Sequence, residues 1–158
     1  MRRLPLLVLF AAALSACGGT DAAKRSTTTD NSATSVQAFV TAGNNVCMAS
    51  DKRIYKLGRL TRNPKGWGRT AAEARQAIGQ MQKVTPPPDR TQAFHLMMRY
   101  ARGLTLSIQE VHDALVKKNF DVAAAAQFAA ASFQDKVHAE AKSLGLTFCQ
   151  QPLTNWPA

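Results

Sequence analysis

Apolar residues recur at steps of three and four along four stretches of this chain, the spacing that lines one face of an α-helix. The first stretch opens at Thr34, with Gln37 three residues on as a capping box, and places Val36, Val40, Cys47, Ile54 and Leu57 on the buried side. Gly43-Asn44-Asn45 weakens it internally, and Asn63-Pro64-Lys65-Gly66 ends it. A second helix is predicted from Thr70-Ala71-Ala72-Glu73, another capping box, through Ala74, Ile78, Met81 and Val84, until Pro86-Pro87-Pro88 stops it.

The third stretch starts at Asp89 with Gln92 in the reciprocal position. It carries the cleanest stripe: Phe94, Met97, Ala101, Leu104, Ile108, Val111 and Leu115. Asn119 and Phe120 turn the chain, and Asp121 is the expected cap of the fourth helix. Its inward positions are predicted as Val122, Ala126, Ala129, Phe133, Val137 and Leu144, with Gly145 as a left-handed stop and Leu146 completing a Schellman motif. No segment alternates with period two. Short connections make consecutive helices antiparallel, so the expectation is an all-α, up-down-up-down four-helix bundle.

Ahead of the bundle the pattern changes. Arg2 and Arg3 precede an apolar run from Leu4 to Leu14, roughly half the ~20 residues that span a bilayer as a helix. That order reads as an export signal rather than a permanent anchor. The run closes on Leu14-Ser15-Ala16-Cys17, which resembles the lipobox of bacterial lipoproteins, where the cysteine thiol receives a diacylglyceryl group and signal peptidase II cleaves before it. The alternative is an ordinary secretory signal with an incidental cysteine. The lipobox resemblance implies a signal peptide over 1–16, acyl chains such as palmitate on Cys17, and a lipoprotein held at the extracytoplasmic face of the cell membrane. Residues 17–34 are rich in Gly, Ser, Thr and Ala and read as a flexible linker, leaving 35–158 as one helical domain.

With Cys17 lipidated, Cys47 and Cys149 remain, and export places them in an oxidising space. Two cysteines leave one pairing, a disulfide bond that closes the bundle. The alternative is a pair of free thiols, redox-active or metal-binding. Val46-Cys47 followed by Arg53-Ile54, the Pro-rich break, and Leu144-Gly145-Leu146 just before Cys149 resemble small actinobacterial lipoproteins and secreted proteins of unknown function. The resemblance implies the helical bundle and the Cys47–Cys149 bridge. It implies no activity, so no functional residues carry over.

Charge is the most unusual feature. The chain carries 20 basic and 10 acidic side chains, and loss of Arg2 and Arg3 with the signal leaves a net of about +8. Lys52, Arg53, Lys56, Arg59, Arg62, Lys65, Arg69 and Arg75 crowd the end of the first helix, the loop and the start of the second, opposed only by Asp51 and Glu73. The bundle topology adds Lys117 and Lys118 at the same pole. The expected anion-binding surface is Arg53, Lys56, Arg59, Arg62, Lys65 and Arg69, with Trp67 between its glycines as an interfacial anchor or, more commonly, a cover over the bundle end. Its partners would be anionic lipid or cell-wall polymer. The membrane anchor disfavours nucleic acid. A cationic face can also serve solubility alone.

Other chemistry is thinly represented. His95 and His138 sit beside core positions near the opposite pole, with Met97 and Met98 close by, but Glu-x-x-His partners are missing, so no metal is expected. His112 reads as a surface residue. No catalytic signature, phosphate loop or haem-attachment pair is present, so the expected class is a non-enzymatic binding or structural module without cofactor. Alanine-rich helices leave a second reading open, a carrier with an apolar cavity for a small ligand; a third, less favoured, is a metal-handling protein using His95 and His138.

Overall fold

In the computed structural model the described residues are 23–58, 60 and 63–151, with side chains from Ser35 onward. The expected export signal over 1–16, Cys17, Arg59 and Arg62 lie outside them. Four α-helices are found: α1 (Ala23–Tyr55), α2 (Pro64–Met81), α3 (Thr91–Val116) and α4 (Phe120–Ser143). Short 3₁₀ turns follow at Pro88–Arg90 and Thr147–Gln150, and the described residues contain no strand.

Contacts at the helix ends set the up-down-up-down order. Arg53 on α1 pairs with Glu73 on α2, His112 near the end of α3 meets Pro64 at the start of α2, and Arg90 donates to the Leu144 carbonyl at 2.7 Å, tying the start of α3 to the end of α4. The expected bundle is therefore the observed one. It closes through its C-terminal tail: Cys47 and Cys149 form a disulfide with Cα atoms 5.2 Å apart, which places the Thr147–Gln150 turn against α1.

Several element starts differ from the sequence-based expectation. α1 begins at Ala23 rather than at Thr34, and no Gly or Pro interrupts it before Gly43. α2 begins at Pro64 rather than at Thr70. Asn63 accepts a hydrogen bond from the Lys65 N–H at 3.1 Å and Pro64 occupies the first helical position, so the residues read as a stop are a start. Asp89 and Gln92 form no cap, because Pro88–Arg90 winds as a 3₁₀ turn ahead of α3. Asn119, not Asp121, caps α4 by accepting from the Val122 N–H at 3.2 Å. The stop at Gly145 is formed as expected: its φ is +76°, the Leu146 N–H reaches the Ala141 carbonyl at 2.9 Å, and Gly145 N–H reaches Lys142 at 3.1 Å.

The core divides along the bundle axis. One half joins Leu60, Trp67 and Ala71 to Ile108, Val111 and Leu115 of α3 and to Ala123, Ala126 and Ala130 of α4. The other gathers Phe39, Met81, Phe94, Met97, Met98, Ala141, Leu144, Leu146 and Cys149, with the Phe39 and Phe94 rings edge to face at 5.7 Å. The inward face of α4 is only partly the predicted one: Ala126 and Leu144 are buried as expected and Val137 packs on the core. Val122 is exposed and Ala129 and Phe133 only half-buried, while Ala123, Ala126, Ala130 and Ala141 face in. Small side chains bring α4 close to α3, close enough that a Cβ on Gly103 would stand 2.6 Å from the Phe133 ring.

Candidate functional site

The cationic pole is built by one contact between elements. His112 Nδ1 lies 2.7 Å from the Pro64 carbonyl oxygen, and its ring packs over Gly68, where a Cβ would come within 3.1 Å. This holds the first turn of α2 against the last turns of α3. Lys65 and Arg69 of α2 thereby share one end of the bundle with Lys117 and Lys118, which follow α3, and the Arg53–Glu73 pair ties the end of α1, with Lys52 and Lys56, to α2. All six are exposed. Glu110, Asp113 and Asp121 are exposed nearby, and Asp113 accepts from Gln109 at 2.9 Å. His112 was expected to be a plain surface residue. It is half-buried and bonded to Pro64, a role that needs two helix ends in space to be seen.

Two of the expected anion-binding residues serve the fold instead. Trp67 is 0% exposed and packs in the first core half, so it is no surface anchor. The helix that starts at Pro64 turns its ring inward onto that core. Arg53 donates to Glu73 at 2.5 Å with both side chains largely covered, so its charge is already matched within the fold. Lys56, Lys65 and Arg69 remain as exposed cations, and Arg59 and Arg62 lie outside the described residues.

The pole also carries apolar surface that the periodicity hid. Around the turn between α3 and α4, Val116, Phe120 and Val122 are 59%, 53% and 39% exposed, interleaved with Lys117 and Lys118. Val122 falls on the apolar stripe that periodicity alone places inward. The visible signal was an aromatic residue set directly beside two lysines and an asparagine cap.

At the junction of the two core halves lies a half-open pocket with about 150 Å³ of interior space. Val46 and Cys47 of α1, Ile78 and Met81 of α2, Met97, Met98, Ala101 and Leu104 of α3, and Val137 of α4 line it, and Phe148, Cys149 and Gln151 of the tail close one side. Its polar lining residues are Ser50, Asp51, Gln134, His138 and Gln151. Burial pushes the His138 imidazole below its ordinary value of 6.5, against the opposing pull of the Asp135 charge and a hydrogen bond with the Gln151 backbone.

His95 is exposed and leans on Phe94 at 6.2 Å, whereas Met97 and Met98 are buried core. Among the described residues no three His, Cys, Asp or Glu side chains gather as metal ligands, and no helix is long and apolar enough to cross a membrane. Comparison with family models, curated proteins and solved structures found no match to this chain.

Proposed function

We propose that this chain is a lipid-anchored extracytoplasmic lipoprotein, tethered through Cys17, whose cationic pole docks on an anionic bilayer surface as a second, reversible contact. The observation that carries the reading is the exposed Phe120, with Val116 and Val122, interleaved with Lys117 and Lys118 on the pole that also bears Lys56, Lys65 and Arg69. Apolar tips among lysines suit an interface in which rings enter the acyl boundary and ammonium groups meet headgroups. Each lysine or arginine near such a surface contributes about 1 kcal/mol, reduced by salt.

The geometry of α1 sets how the two contacts relate. Its 33 residues extend about 50 Å, with the pole at the C-terminal end and the Cys17 side at the other. Both ends reach one bilayer when α1 lies along it. A module without catalysis, holding the domain flat on the membrane, accounts for these features.

The test is co-sedimentation of residues 17–158 carrying Cys17→Ser, which keeps every described element, with anionic and neutral vesicles and with a soluble anionic wall polymer. Binding to anionic vesicles that falls steeply with salt, and drops again in Phe120→Ser, is the expected result. Binding to polymer alone, unaffected by Phe120→Ser, would turn the pole toward the cell wall. No binding at low salt would leave its charge a matter of solubility.

A further inference from the structure

The cavity at the seam of the two core halves is walled almost wholly by carbon and sulfur. A water molecule needs two to four polar partners to settle in a protein interior, and the walls contributed by Val46, Ile78, Met81, Met97, Met98 and Leu104 supply none from their side chains. An apolar space of about 150 Å³ is the size that accepts a single benzene-sized molecule. Three of the lining side chains are methionines, which adapt their shape and make favourable sulfur contacts at the edge of an aromatic ring. The Cys47–Cys149 bridge adds sulfur to the same wall.

We infer that this cavity is a binding site for one compact, neutral molecule of monocyclic aromatic size, its ring held among Met81, Met97 and Met98. The walls disfavour an anion: it would lose its hydration against apolar side chains, and the one carboxylate among the lining residues, Asp51, would repel it. His138 and Gln134 are placed to meet a single hydroxyl or carbonyl group on such a ring.

This site is independent of the cationic pole and is tested without a membrane. Residues 17–158 with Cys17→Ser, disulfide intact, are titrated with toluene and, separately, with benzoate while thermal unfolding is followed. Toluene should raise Tm saturably, and benzoate should not. Ala101→Leu and Ala77→Val fill the cavity from opposite walls, and each should weaken toluene binding at least tenfold while leaving the helical signal intact. Either variant suffices if the other fails to fold. The proposal is overturned if toluene gives no saturable shift, if benzoate shifts Tm equally, or if a folded cavity-filled variant binds toluene as the parent does.

Discussion

A Cβ placed on Gly43 of α1 would stand 2.7 Å from Leu146 Cδ2, so the tail leucine occupies the space that the glycine leaves open. Leu146 is wholly buried there, and the next residue of α1, Asn44, accepts a hydrogen bond from the Phe148 N–H at 3.0 Å. The least helix-favouring positions of α1 are thus the seat of the C-terminal tail. Gly43→Ala gains about 1 kcal/mol of helix propensity but overpacks against Leu146, which costs about 1–3 kcal/mol. The net expectation is a loss of about 1 kcal/mol in urea unfolding. Gly79 in α2 has nothing within 4 Å of its missing Cβ, so Gly79→Ala should stabilise by about 0.8 kcal/mol. Equal gains in both variants would show that the seat is not tight.

The disulfide acts on the same tail. Cys47 and Cys149 are separated by 102 positions, and closing a loop of that size removes about 4.7 kcal/mol of chain entropy from the unfolded state. Cys47→Ala with Cys149→Ala should lower the unfolding free energy by about 4 kcal/mol. Amide exchange should quicken first at 146–150, where the tail leaves α1, and only later in α3. A uniform rise across all helices would mean that the tail and the bundle open as one unit.

His138 links pH to this end of the molecule. Desolvation by burial lowers its folded value below 6.5, with Asp135 and the Gln151 backbone pulling the other way. The unfolded chain therefore binds the proton more readily than the folded one. The stability associated with a neutral His138 is fully present above about pH 6.5 and is lost as pH falls through the lower folded value. His138→Gln should flatten the stability profile between pH 5 and 7, measured by chemical unfolding at each pH. An unchanged profile would assign the acid sensitivity to other groups.

Lys118 holds a backbone conformation that normally selects glycine. Its φ is +58°, its N–H reaches the Leu115 carbonyl at 3.1 Å, and the Asn119 N–H reaches Ala114 at 2.9 Å, a Schellman turn with lysine at the left-handed position. Lys118→Gly should stabilise the protein by about 1 kcal/mol by relieving that conformation. It should also weaken partition onto anionic vesicles about fivefold at low salt, the share of one cation. Stabilisation without loss of binding would remove Lys118 from the docking surface.

Much of the architecture was legible in the chain because its signals are local. The stripe from Phe94 to Leu115 marks α3 without ambiguity, Gly145 marks the end of α4, and Cys47 and Cys149 form one bridge. Local signals failed where two of them competed: Asn63-Pro64 and Thr70-Ala71-Ala72-Glu73 both look like helix starts, and only the fold chose the first. They failed again on α4, where alanines on several faces leave little contrast, so contact with α3 decided that Val122 faces out and Ala123 and Ala130 face in. The burial of Trp67, the pairing of Arg53 with Glu73, the bond from His112 to Pro64 and the methionine-lined cavity all depend on partners far away in sequence. A cap or a stripe is settled within a few residues, whereas burial and cavity shape are sums over neighbours that only the folded bundle brings together.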